Sequence, residues 1–269
     1  MTAAPVALVG HPDPLTYAVA SALRAQGRRS VICRLVTRDP GEDAEGIAFR
    51  LEHLGSLLRR LGELGVEEVC FVGAIVRPRL DPRQVDAATL PLVPRLAEAL
   101  GKGDDGALRV ALALFEEAGF RIRAAQDLAP FLLPPPGLLG RCRPSARQEE
   151  DARRAERVHR LIAPADIGQG VVVRDGQVLA VEAAPGTDWM LRSLAGMAEG
   201  AVFLKAPKRG QDRRADLPVI GPATIERARE ARIGVVAIEA GGVMVLNREI
   251  TVAAADEAGI VLWVREPAP

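Results

Sequence analysis

Short apolar runs of β character alternate with amphipathic helical stretches through the first half of this chain, and that order leaves few folds open. PVALVG (5–10) reads as a buried strand and is followed by a helix through TYAVASALRAQG that ends at Gly27. RSVICRLV (29–36) is a second strand and VEEVCFVGAIV (66–76) a third. Between them LGSLLRRLGELG (54–65) places Leu54, Leu57, Leu58, Leu61 and Leu64 at helical spacing, with Gly65 suited to a C-terminal cap. A helix near PLVPRLAEAL follows, then DDGALRVALALFEEAG capped by Asp104 or Asp105, and RIRAAQ opens a last strand. Parallel strands need long crossovers of one hand, so strand, helix, strand, helix predicts an α/β protein with a Rossmann-like parallel sheet.

The proline-rich FLLPPPGLLGRCRPS (131–145) interrupts that rhythm, and RQEEDARRAERVHRLI after it reads as a charged helix. GVVVRDGQVLAVEA (170–183) is two alternating runs around Asp175-Gly176, a strong hairpin signal. DWMLRSLAGM reads as a helix, AVFLKAPK as a strand and TIERAREA as a helix. GVVAIEAGGVMVLNRE is expected to form a second hairpin turning at Gly241-Gly242, followed by a helix in EITVAAADEAG and a closing strand in IVLWVRE. The expected division is an N-terminal Rossmann-like domain over 1–135, a linker over 136–150, and a C-terminal α/β domain with a mixed sheet over 151–269. No internal repeat of fixed period is present.

Composition narrows the function. The 269 residues carry 35 Lys and Arg against 35 Asp and Glu, so no global field draws in nucleic acid, and anion binding must come from a local cluster. Aromatics are 3% of the chain, too few for the stacking platforms of single-strand binders. Cys33, Cys70 and Cys142 lack Cys-x-x-Cys spacing, and Cys33 and Cys70 sit in apolar runs, as small buried thiols do. His11, His53 and His159 belong to no metal signature. The start MTAAPVALVGHPDPL is not expected to act as a signal peptide, and four prolines break the most apolar run, 128–140. A soluble, cytoplasmic protein is expected.

The common nucleotide signatures are missing. After the first strand stands Gly10-His11-Pro12-Asp13-Pro14, whose prolines have no N–H to offer a pyrophosphate, and Gly101-Lys102-Gly103 lacks the Ser or Thr of a P-loop. The densest polar stretch is KAPKRGQDRRADLPVIGP (205–222), directly after an apolar strand. Lys205, Lys208, Arg209, Arg213 and Arg214 face Asp212 and Asp216 there, a local excess of three positive charges. Such groups pair with phosphate oxygens, while a carboxylate holds a cation or orients water. The same stretch also reads as a solvated loop of weak ion pairs. Gly186-Thr187-Asp188 precedes a helix, where Thr187 or Asp188 would cap it, and LGKGDDGAL (100–108) reads likewise around Gly103, Asp104 and Asp105. Gln169 stands between two glycines at a strand start, and Arg77 at a strand end.

Taken in order, these segments resemble the bacterial UDP-2,3-diacylglucosamine pyrophosphatases of the LpxI type. The resemblance rests on Gly73 and Arg77-Pro78, on Lys102-Gly103-Asp104-Asp105, on Asp166-Ile167-Gly168-Gln169-Gly170, and on Val181-Glu182-Ala183 with Gly186-Thr187-Asp188 and Met190-Leu191. It continues through Lys205-Ala206-Pro207-Lys208, Gln211, Arg214, Asp216-Leu217-Pro218 and Ile220-Gly221. It implies two domains holding a lipid-linked nucleotide sugar between them, and hydrolysis of its pyrophosphate to 2,3-diacylglucosamine 1-phosphate (lipid X) and UMP in lipid A synthesis. Water would attack the phosphorus on the sugar side, with magnesium as the implied cofactor. Asp216 takes the place of the family's required aspartate. Two departures stand out. The family's A-G-x-G-x-L-P loop is here Val9-Gly10-His11-Pro12-Asp13-Pro14-Leu15, without the second glycine, and Pro185 stands where glutamate is usual.

The resulting expectations are specific. Asp216, with Lys205 and Arg214, would be catalytic, Asp216 as general base or metal ligand; Asp216 and Asp188 would hold magnesium. Gly10, Gly73, Arg77, Gly103, Asp104, Asp105, Gln169, Thr187, Asp188 and Gln211 would bind substrate. FLLPPPGLLG is a candidate apolar wall for the acyl chains, or an ordinary linker. The expected partners are the lipid substrate and, transiently, the inner-membrane surface, but no nucleic acid; the oligomeric state, a homodimer included, stays open. Two other classes remain open: another nucleotide-sugar enzyme on the same scaffold, and a non-catalytic lipid or nucleotide binder.

Overall fold

A computed structural model of the chain describes residues 3–36, 46–73, 80–101, 104–208, 210, 212–215 and 217–267. Its two units are Met1–Pro130 with Asp212–Asp216, and Phe131–Gln211 with Leu217–Pro269.

The first unit is built on β1 (Val6–Val9), whose four side chains are all buried, as expected of a central strand covered on both faces. The chain runs on through α1 (Pro14–Ala25), β2 (Ser30–Leu35), β3 (Ile47–Phe49), α2 (Leu54–Glu63) and β4 (Glu68–Phe71). It continues through α3 (Val93–Leu100), α4 (Asp104–Glu117), β5 (Arg121–Ile122) and the single turn α5 (Ala125–Leu128). The sheet order is β3-β2-β1-β4-β5 and every pair is parallel, the Rossmann-like arrangement predicted from the alternation. Leu54, Leu57 and Leu61 of α2 are buried, as their spacing demands, and Gly65 ends that segment at φ +69°. Phe71, Phe115 and Phe120 close the core, the first two edge to face at 5.1 Å. Cys33 and Cys70 lie in this sheet fully buried, and burial pushes both thiols up to about 12.

The second unit begins with β6 (Gly137–Leu138) and α6 (Ala146–Ile162), followed by β7 (Gly170–Arg174), β8 (Gln177–Val181), α7 (Thr187–Ser193) and β9 (Val202–Lys205). Then come β10 (Val219–Ile220), α8 (Pro222–Glu230), β11 (Val235–Glu239), β12 (Met244–Val245), α9 (Arg248–Glu257) and β13 (Val261–Arg265). Six strands form a mixed sheet in the order β6-β13-β11-β9-β7-β8. Strands β9, β11 and β13 are mutually parallel; β6, β7 and β8 run antiparallel to their neighbours. Alternation divides the sheet's side chains: Val172, Phe203, Val236, Ile238, Leu262 and Val264 join one core cluster with α7 and α8, while Val171, Val173, Val202, Leu204, Val235 and Ala237 pack with α6. A capping box between Ser145 and Gln148 starts α6. Buried Asp151 on that helix accepts from Asp175 N–H (2.8 Å) and Gly176 N–H (2.7 Å), fastening the predicted β7–β8 turn.

Two expectations are corrected here. The run around Gly241-Gly242 is not a hairpin: β11 pairs with β9 and β13, while β12 pairs parallel with β10 in a separate two-stranded ribbon. Its glycines turn the chain, but the partners come from elsewhere in the sequence. Nor is FLLPPPGLLG an ordinary linker, one of its two expected readings. Leu132 is buried, Gly137 and Leu138 add an edge strand to β13, and Leu138 and Leu139 pack on the two cores, leaving Phe131 exposed.

Candidate functional site

Parallel strands direct ligands to their carboxyl ends, and in the second unit Lys205 is the last residue of β9. It stands opposite Gly170, the first residue of β7, in the antiparallel β7–β9 ladder. On the far side of Gly170, Glu182, just after β8, donates its N–H to the Gly170 carbonyl (2.8 Å). Lys205 and Glu182 thus flank a residue with no side chain, and their charged ends meet across it, Lys205 Nζ to Glu182 Oε2 at 3.8 Å. Both are buried, at 6% and 9% exposure. Lys205 Nζ also donates to Thr187 Oγ1, on the first residue of α7.

The two glycines around Gln169 have a steric reason. A Cβ at Gly170 would lie 2.6 Å from Glu182 Oε2, and one at Gly168 would lie 2.1 Å from the Glu182 carbonyl oxygen. The backbone oxygen of Gln169 accepts from Ala206 N–H (3.0 Å), tying this strand start to the residue after Lys205. Lys208, two residues on, pairs with Asp166. From the opposite face of the sheet, His159 on α6 hydrogen-bonds the backbone of Ala206, and burial holds its imidazole below the ordinary value. The turn Lys205-Ala206-Pro207-Lys208 is therefore fastened from several sides.

The expected cap of α7 is corrected. Gly186, at φ +85°, occupies the N-cap position without a side-chain bond, and Thr187 and Asp188 are already helical. The Thr187 hydroxyl is turned to Lys205 instead. Asp188 is exposed in the first turn. Asp104 and Asp105 likewise lie inside α4 as its first two residues rather than before it.

In the first unit, Gly10 and Gly73 follow β1 and β4, adjacent strands at the point where the sheet order reverses. A Cβ at Gly10 would lie 2.0 Å from the Val72 carbonyl oxygen, and one at Gly73 would lie 2.3 Å from the His11 carbonyl oxygen. Backbone crosses backbone here, which only glycine permits. Proline at the start of α1 explains the unusual first loop. Pro14 takes the first helical position, and Asp13 caps it by accepting from Thr16 N–H (2.9 Å).

Residues 212–215 also belong to this unit. Arg214 forks onto Asp212 (Nη2 to Oδ2, 2.8 Å; Nε to Oδ1, 3.0 Å) and reaches Glu116 (Nη1 to Oε1, 2.6 Å). Its hydrogen bonds to Asp212 and then to Glu116 raise its own pKa, and its side-chain hydrogen bond holds the Asp212 carboxyl below the usual range. The Arg213 carbonyl accepts from Gln126 Nε2 (2.9 Å), and Ala215 packs on the core. Arg214 thus serves, at least in part, to anchor the approach to position 216. Asp216 itself lies outside the described residues, as do Arg77, Gly103 and Gln211. Among the described residues no three His, Cys, Asp or Glu side chains converge to hold a metal ion. Glu182, quoted in the sequence motif but given no role, is the buried carboxylate beside Lys205 that the sequence reading passed over.

A Rossmann-like unit joined to a mixed-sheet unit, with a buried lysine at a strand end, defines a two-unit α/β protein with cation-bearing strand ends. A family model described as the LpxI N-terminal domain matches residues 14–132, and one described as the LpxI C-terminal domain matches residues 135–263. A relative from Caulobacter vibrioides, named UDP-2,3-diacylglucosamine pyrophosphatase LpxI, is 38% identical over 271 residues, covering 97% of each chain. The chain belongs to the LpxI family.

Proposed function

We propose that this chain hydrolyses UDP-2,3-diacylglucosamine to 2,3-diacylglucosamine 1-phosphate and UMP, as a step of lipid A synthesis. The reading is carried by the end-to-end similarity to a relative named for that pyrophosphatase activity. In the reaction, a water oxygen forms a bond to the sugar-side phosphorus, the bond from that phosphorus to the bridging oxygen breaks, and UMP leaves with the bridging oxygen. The water's proton goes to a base, for which Asp216 is proposed. Negative charge grows on the departing UMP, and a fixed ammonium in a water-poor site stabilises it without reorganising. Lys205, buried and held by Thr187, fits that role. Arg214 is proposed to support Asp216 through the anchored stretch before it rather than as a free cation.

Magnesium dependence is part of the proposal and rests on the family resemblance, with Asp188 and Asp216 as the carboxylates. The described residues alone do not furnish its site; when bound, the ion would neutralise phosphate charge. The substrate's acyl chains call for transient contact with a membrane surface, weakly electrostatic because the chain's net charge is zero. No helix among the described residues is long and apolar enough to cross a membrane. The test is UMP release from UDP-2,3-diacylglucosamine with and without chelator, in the wild type and in Asp216→Asn. Turnover that chelator and Asp216→Asn both abolish is expected. Tight binding without UMP in the presence of magnesium overturns the reading, and full activity in Asp216→Asn removes Asp216 from it.

A further inference from the structure

We propose that Glu182 is a positioning residue for Lys205, and that residue 170 is a glycine so that it can be one. The role rests on the reading of Lys205 as the cation that meets the pyrophosphate. A buried ammonium without a counter-charge is driven towards its neutral form or out of the site. Glu182 brings negative charge to it from the neighbouring strand, across the gap that Gly170 leaves. The separation is informative. At 3.8 Å the pair attracts through charge, but the carboxylate takes no N–H from the ammonium. Glu182 Oε2 is fully buried and accepts no hydrogen bond from the described residues. Buried carboxylate oxygens that serve only the fold are normally hydrogen-bonded; this one faces a lysine instead. Thr187 Oγ1 fixes the direction of Nζ, and Glu182 helps to hold it charged.

The chain's composition makes the test direct. Of its 35 basic side chains only Lys102, Lys205 and Lys208 are lysines. Protein labelled with nitrogen-15 lysine therefore carries three side-chain nitrogens to follow by NMR, assigned by Lys→Arg substitution at 102 and 208. In Glu182→Gln, the Lys205 ammonium is expected to exchange its protons with water at least about tenfold faster. The kcat for UMP release should fall at least about tenfold with KM within about twofold, less than the roughly hundredfold to thousandfold loss of a transition-state donor itself. Glu182→Asp keeps the charge one methylene further back and should recover part of both, which a packing role would not give. It also carries the test if Glu182→Gln does not fold. An unchanged Lys205 signal overturns the proposal, and so does an unchanged kcat alongside an altered signal. If the wild type releases no UMP, the functional reading fails, yet the ammonium signal still decides whether Glu182 controls Lys205.

Discussion

Gly170→Ala adds one methyl group at the centre of the row that joins Lys205 to Glu182. The new Cβ would lie 2.6 Å from Glu182 Oε2, 3.0 Å from Phe203 Cε2 and 3.3 Å from Glu182 Cβ. Such contacts are comfortable only beyond roughly 3.5 Å, so the carboxylate must swing by about 0.9 Å and the ring must give by about 0.5 Å. Phe203 is fully buried in the sheet core, so its ring gives little and part of the overlap stays as strain even when the carboxylate moves. Overpacking of this kind costs about 1–3 kcal/mol. At roughly 2–4 °C per kcal/mol, the second unit should melt about 2–12 °C lower. Trp189 and Trp263 are the chain's two tryptophans and both belong to that unit, so their fluorescence follows its unfolding selectively. UMP release should fall in parallel as Glu182 is displaced from Lys205. Pairing the change with Glu182→Ala vacates the contested space, and the double variant should be less destabilised than the sum of the singles by about 0.5–3 kcal/mol. An unaltered midpoint in Gly170→Ala, or strictly additive losses in the pair, would refute the steric argument.

Asp151→Asn replaces an oxygen that accepts from the β7–β8 turn with an NH2 group facing an N–H, and should destabilise the second unit by about 1–3 kcal/mol in urea titrations read by tryptophan fluorescence. In the first unit, burial works to raise the Glu68 carboxyl, but hydrogen bonds from Arg28 (2.5 Å) and Arg123 (2.8 Å) hold it below the ordinary carboxylate value. Its contribution is complete above the unfolded carboxyl pKa of about 4.3 and is lost as pH falls through the lower folded value. Glu68→Gln should therefore lower stability by circular dichroism at pH 7 and converge with the wild type in strong acid. A thiol reagent at neutral pH should leave Cys33 and Cys70 unmodified in the native protein, so that Cys142 is the one cysteine labelled before denaturant is added.

The first unit was legible because its physics is local: apolar runs at strand length, leucines at helical spacing and glycines such as Gly27 and Gly65 past helix ends are written in consecutive residues. The strand β3 was not, since three residues carry no period of their own and pair only because β2 lies beside them. The supposed hairpin at Gly241-Gly242 failed for a related reason. Two glycines announce a turn but not which strand comes next, and β12 found its partner more than twenty residues back. At the site, Lys205 was legible as a cation after an apolar strand, and so were the glycines around Gln169. What could not be read was why those glycines are there. A carboxylate after an alternating strand looks solvent-facing in one dimension, and only the pairing of Gly170 with Lys205 shows that Glu182 points at a buried charge. Thr187 was placed correctly at the head of a helix but given the task that Gly186 performs.

The excursion of Asp212–Asp216 makes the backbone pass from one unit to the other at 130/131, 211/212 and 216/217, three times where a tandem protein would pass once. A gene split after Pro130 would therefore separate the first unit from residues that pack in it. The upstream piece would lack Ala215 against its core and the guanidinium that answers Glu116, and the downstream piece would carry residues 212–215 away from those partners. Fragment complementation, with both pieces made together, is the sensible way to dissect such a chain, and recombination that swaps one half for a foreign homologue has to match that short insertion as well as the junction.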